Sequence, residues 1–216
     1  MSARASSREA VLDRVRTATG KTAPAAESYA QLPRNYIRRG RLEPDARTRL
    51  MVDRLREYDA EVVECAPGEL PAVIAAQLAR SGRRTFVAPA GLPSEWLAEG
   101  YEWKVDHQLE ADEIEKAQGV VTAAFCGVAN SGTIVLHHSA QEGRRILTLL
   151  PDWHLCVLRA SQVVETFPEY FSRCEQAPPL VTWISGPSAT ADIEMTRIKG
   201  VHGPRFLAVV LVRDRS

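Results

Sequence analysis

The chain has 216 residues, enough for one substantial core and within the range of a single α/β domain. Its 45% hydrophobic and 25% charged content is ordinary for a globular protein, and 27 basic residues balance 27 acidic ones. That neutrality argues against a dedicated nucleic-acid binder, and the lack of a long apolar run argues against a membrane span or a signal-peptide core, so a cytoplasmic protein is expected.

Residues 1–20 read as a short helix, with Ser6 and Glu9 at capping-box spacing, an apolar stripe of Val11, Leu12 and Val15, and Gly20 as a stop. Periodicity then disappears over residues 21–41, where Arg34, Arg38, Arg39 and Arg41 surround Tyr36 and Ile37. This stretch reads either as an anion-binding surface or as a solvated linker. Residues 1–41 are therefore expected to form a helix and linker, and residues 42–216 the α/β domain.

Pro44 opens a helix expected to run to residue 58, with Leu50, Met51, Arg54, Leu55 and Tyr58 on one mostly apolar stripe. An α/β rhythm follows: a strand at 60–65, a helix at 69–80, a strand at 85–88, a short helix at 94–98 and a strand near 101–105. Strand, helix and strand joined by short connections predict a mostly parallel sheet covered by helices. Residues 111–117 form a short helix whose Asp112, Glu113 and Glu115 read as a solvated face.

Residues 119–138 hold two β-rich runs, 120–125 and 133–136, on either side of a small polar hinge at 127–133. Such a hinge can present backbone N–H groups to a ligand, or it can simply connect two strands tightly. Residues 145–150 and 154–158 read as strands, and 161–174 as a helix that Pro168 either kinks or splits. A strand follows at 180–185. The run 206–212 is nearly all apolar, so it needs cover on both faces and is expected to be central in the sheet.

Cys65, Cys126, Cys156 and Cys174 are widely spaced and form no CxxC pair, so buried thiols are expected rather than a zinc or iron–sulfur site. No phosphate-loop lysine motif, dinucleotide glycine motif or nucleophile elbow is present.

Three small-residue segments, 127–133, 186–194 and 200–205, are expected to meet in one cleft beyond the carboxyl ends of the strands. They would bring together Asn130, Ser131, Gly132, Thr133, Gly186, Ser188, Thr190, Asp192, Gly203 and Arg205 as ligand-binding groups. Glu194 and His202 are the candidates for proton transfer. Arg205 can form a bidentate pair with a carboxylate, either the ligand's or that of Asp192. The set suits a small carboxylate or phosphorylated ligand.

SGTIVL at 131–136, LLPDWHLCVL at 149–158 and SGPSATADIEMTRIKGVHGP at 185–204 resemble the LUD-domain family. The likeness runs from about residue 42 onward and is stronger after Gly119, while residues 1–41 look like the variable N-terminal part. It implies the α/β fold group of ribose-phosphate isomerases, glucosamine-phosphate deaminases and coenzyme A transferases. It also implies a subunit or accessory protein of a system oxidising L-lactate to pyruvate, working with two companion proteins. Iron–sulfur clusters are then expected in the companions, and no cofactor is expected in this chain. An autonomous enzyme acting on a phosphosugar or acyl ligand and a structural scaffold are the competing readings. Many relatives carry Glu-Thr-Gly-Thr at the hinge, where this chain has Asn130-Ser131-Gly132-Thr133. A neutral amide cannot act as a base or nucleophile, so Asn130 is expected only to hydrogen-bond.

Overall fold

The computed structural model describes residues 7–19, 31–176, 178–190, 198–200 and 203–214. The chain divides into two compact units, Met1–Tyr36 and Ile37–Ser216. The first contains helix α1 (Ser7–Thr19), which buries no side chain. The second holds every other element.

Six parallel strands make the main sheet: β1 (Glu61–Cys65), β2 (Thr85–Pro89), β3 (Glu102–Asp106), β4 (Gly119–Ala123), β7 (Trp153–Arg159) and β12 (Phe206–Val212), in the order β1-β12-β7-β4-β2-β3. β12 lies between β1 and β7, with Ala208 opposite both Glu61 and Leu155. Its apolar run is interior, as expected for a strand covered on both faces.

Alternate residues of these strands enter two different cores. Leu155, Val157, Ala208 and Val210 pack with Ile74 and Leu78 of helix α3 (Leu70–Ser81). Cys156, Leu158, Leu207 and Val209 pack instead with Met51, Val52 and Leu55 of helix α2 (Pro44–Glu57). This second face is only partly helical. A four-stranded sheet joins α2 there, in the order β8-β5-β6-β9, formed by β5 (Cys126–Val128), β6 (Thr133–Leu136), β8 (Val163–Val164) and β9 (Thr182–Ile184).

The small sheet settles the hinge. β5 and β6 pair antiparallel across a single 3₁₀ turn, Ala129–Ser131, so residues 127–133 are a strand-to-strand connection. Gly132 has φ +62, and a Cβ there would come within 2.7 Å of the Arg54 side chain of α2. Glycine at this position lets the turn pack flat on a helix.

Two expected elements are different in the structure. Residues 145–150 are not a strand: Arg145–Thr148 forms a 3₁₀ turn. The positive-φ turn at Gly143 and the ring of Pro151 leave room for one turn only, and it buries Leu147 and Thr148. Residues 161–174 are not one helix. A 3₁₀ turn at Ala160–Gln162 leads into β8, and helix α5 starts only at Phe167 and runs to Arg173. Pro168 is tolerated in the first turn, where its missing N–H has no intrahelical partner to lose. The Glu169 carboxylate accepts the free backbone N–H of Thr166 at 2.9 Å and so caps the start. The expected helix at 94–98 is a 3₁₀ turn, Ser94–Trp96, and that at 111–117 is the five-residue α4, Ala111–Glu115.

Candidate functional site

A cleft of about 350 Å³ lies on the α2 face, beneath β9 and against the amino ends of β7 and β12. Its walls come from Arg145 and Thr148 of the 3₁₀ turn, Leu149 just after it, Thr182–Ile184 of β9, residues 185–189, Gly203 and Pro204, with His154 and Leu207 at the base. The expected location is thus reversed: the two segments around Gly186 and Gly203 meet at the amino ends of the parallel strands, not at the carboxyl ends. Sheet direction explains the reversal, because residues 200–205 lead into β12 rather than out of it.

Local chain geometry makes this wall. Gly186, with φ +83, lies so close to Tyr58 that a Cβ would meet the Tyr58 side chain at 2.6 Å. The chain turns there into β10 (Ala189–Thr190), which pairs antiparallel with β11 (Ile198–Lys199). The Ser188 N–H donates to the Pro204 carbonyl at 2.8 Å, joining the two small-residue segments.

Polar groups reach the cleft along three routes. On β9, Thr182 and Ile184 face inward while Trp183 is exposed. The Thr182 hydroxyl lies 2.8 Å from His138 Nε2, and His138 Nδ1 lies 2.9 Å from the Gly143 carbonyl. A second route is a chain of hydroxyls, with Ser131 Oγ 2.7 Å from Thr133 Oγ1, itself 2.8 Å from Ser185 Oγ on the cleft wall. The third is cationic. Arg145 is exposed on the wall, and among the described residues its guanidinium has no ion-pair or hydrogen-bond partner.

His154 is a base-layer residue rather than a reactive one. It is fully buried, its Nε2 lies 2.7 Å from Thr122 Oγ1, and burial pushes its pKa down to about 4. The folded chain therefore keeps this imidazole neutral while the unfolded chain protonates it near the ordinary value of 6.5. Stability is present above the unfolded value and is lost as pH falls towards 4. Between pH 7 and pH 5 the loss is expected to be about 2 kcal/mol, at 1.36 kcal/mol per unit. Urea unfolding at the two pH values checks it: His154→Gln should flatten this dependence, and an unchanged slope would exclude His154 as its source.

The remaining sequence candidates divide cleanly. Gly186, Ser188 and Gly203 line the cleft. Ser131 and Thr133 touch it only through Ser185, whereas the Asn130 N–H donates to the Glu165 carbonyl and Gly132 packs on Arg54. Thr190 is placed by its backbone in β10. Asp192, Glu194 and His202 lie outside the described residues.

Arg205 belongs to a different cleft of about 280 Å³, on the α3 face, lined also by Arg80, Arg83 and Trp153. Neither of the expected partners is the observed one: its carboxylate is Asp152, bound in a two-point pair at 2.5 and 3.0 Å. Arg83 adds a longer contact to the same carboxylate at 3.6 Å. These cations hold the Asp152 pKa below the ordinary carboxylate range, the Arg205 hydrogen bond contributing most.

The thiols offer no metal site among the described residues. Cys126 and Cys156 are buried, which pushes their pKa values up to about 11 and about 12, so both are protonated near neutrality.

Sequence reasoning missed Arg145, Thr182 and His138. A Gly-Arg-Arg run at 143–145 was visible, but nothing local indicated that Arg144 is paired while Arg145 has no partner among the described residues. His138 and Thr182 are joined only when β9 docks on β6, with Leu136 opposite Thr182.

Comparison with known proteins gives one consistent group. The family model described as LUD domain matches residues 49–212. A protein of Deinococcus radiodurans named lactate utilization protein C is 41% identical, covering 74% of this chain and 76% of its own. A protein of the same name from Exiguobacterium is 30% identical, with 96% of both chains covered. The crystal structure of a DUF162-family protein from Deinococcus radiodurans superposes with a TM-score of 0.66 at 34% identity, covering 80% of this chain and 99% of that one.

Proposed function

This chain belongs to the LUD-domain family, and on that premise we propose that it is a subunit of a lactate utilization system. In this reading it binds a small carboxylate in the cleft beneath β9, while companion proteins, at least one with iron–sulfur clusters, carry the electrons from L-lactate to pyruvate. The chain acts in the cytoplasm. The names of its relatives support the pathway in this reading, and the cleft supports the ligand chemistry.

One observation carries the reading. Arg145 lines a cleft rich in hydroxyls and backbone polar groups, and its guanidinium is uncommitted among the described residues. A planar two-point donor of this kind matches a carboxylate. Arg205, by contrast, already holds Asp152. The anchor is therefore Arg145, with Ser185 and Ser188 as neutral donors beside it.

Calorimetric titration of L-lactate into the full chain tests the proposal. Arg145→Ala is expected to weaken binding by about 10–100-fold, the range of a charge-assisted hydrogen bond, and Arg205→Ala to change it by less than about threefold. A loss in Arg205→Ala with none in Arg145→Ala would move the anion site to the other cleft. Co-purification of iron–sulfur partners with the chain, and loss of lactate-dependent dye reduction when it is left out, would test the subunit role.

A further inference from the structure

We propose that the Thr182–His138 pair makes the cleft selective for a 2-hydroxy acid over the corresponding 2-oxo acid. This rests on the carboxylate-binding reading above and adds to it the group that reads the carbon beside the carboxylate.

Protons can be placed along one chain of contacts. A carbonyl oxygen can only accept, so the 2.9 Å contact to Gly143 requires the hydrogen on His138 Nδ1. In the neutral ring Nε2 then carries the lone pair. Thr182 Oγ1, 2.8 Å away, must be the donor in that contact. A hydroxyl has one hydrogen, and this one is committed to His138. What Thr182 has left for the cleft is a lone pair.

Position supports the same conclusion. Thr182 shares the inner face of β9 with Ile184 and lines the cleft that Arg145 also lines. His138 is held in the left-handed region at φ +59, an uncommon conformation for a side chain of its size, and the Gly143 contact fixes its ring there. A ligand whose carboxylate sits on Arg145 would thus meet an acceptor. The hydroxyl of L-lactate can donate to it. The ketone of pyruvate cannot, and its oxygen would face another unshared pair.

The test is calorimetric titration of the full chain with L-lactate and with pyruvate at pH 8. L-lactate is expected to bind at least about tenfold more tightly. Thr182→Val should lower L-lactate affinity to the level of pyruvate, and Thr182→Ser should keep the preference. His138→Asn, which tolerates the left-handed backbone, frees the threonine proton and should narrow the preference by raising pyruvate affinity. A purely structural role for His138 would weaken both ligands together. Equal wild-type affinities that both fall in Arg145→Ala would overturn this inference and leave the carboxylate site standing. No binding of either ligand would remove both.

Discussion

Replacing Phe86 with alanine is expected to remove about 3–5 kcal/mol of stability, the usual loss for deleting a fully buried aromatic ring. Phe86 is completely buried on β2 and makes ring contacts with Tyr101, Trp103 and Trp153 at centroid separations of 5.5, 5.4 and 5.8 Å. Gly119 of β4 leaves the space for it, since a Cβ there would come within 3.0 Å of the Phe86 ring. The Phe86 and Trp153 rings therefore both pack over one glycine. The effect should reach the candidate site, because Trp153 begins the strand whose next residue, His154, lies at the base of the cleft. Urea unfolding checks the magnitude. A loss below about 1 kcal/mol would mean that the cluster collapses into the cavity. Phe86→Leu, which keeps most of the volume, should cost under about 1.5 kcal/mol.

Arg144→Ala is expected to cost about 3 kcal/mol, because it strands a buried carboxylate. The Asp106 side chain is 5% exposed, and Arg144 binds it at two points, 2.8 and 2.7 Å, while also donating to the Leu109 carbonyl. The half-exposed arginine admits some water, which places the figure at the low end for a broken buried pair. Adding Asp106→Asn to this variant should recover most of the loss, since the charge is then gone and the amide can still accept the Leu109 N–H. The Arg144 hydrogen bond holds the Asp106 pKa below its ordinary value. The pair therefore stabilises the fold above the unfolded carboxylate range, and that contribution disappears as pH falls through the lowered folded value. Acid unfolding should accordingly be shallower in Arg144→Ala than in the parent. A double variant no more stable than the single one would show that lost packing, not stranded charge, is responsible.

Much of the architecture was readable from residue patterns because those patterns answer to burial. The apolar run at 206–212 needed two covered faces and has them. Spacing marks Leu70, Val73, Ile74, Gln77 and Leu78 as the inner stripe of the helix at 70–81, and all but the partly buried Val73 are fully covered. Pro168 marked a break, and a break is present. What periodicity does not encode is which end of a parallel sheet a loop reaches, and the cleft was placed at the wrong end for that reason. Nor does it encode pairing between distant side chains. His138 and Thr182 are separated by the whole of β7, β8 and α5, and their contact depends on the docking of an edge strand. Arg205 was read as the partner of a ligand carboxylate or of Asp192, and its observed pairing with Asp152 follows only from the alignment of β7 and β12, with Trp153 opposite Phe206.

The position of β12 also has a consequence for synthesis. β1 emerges from the ribosome early, yet its sheet neighbour is β12, made almost 150 residues later. Until residues 206–212 have left the exit tunnel, β1 has no strand to pair with and β7 keeps one bare edge. Such a topology folds slowly, and its half-made forms expose apolar edges that invite association. Truncation before Phe206 should therefore give an aggregating chain rather than a smaller folded one, and nascent chains stalled at that point should be strong clients for chaperones.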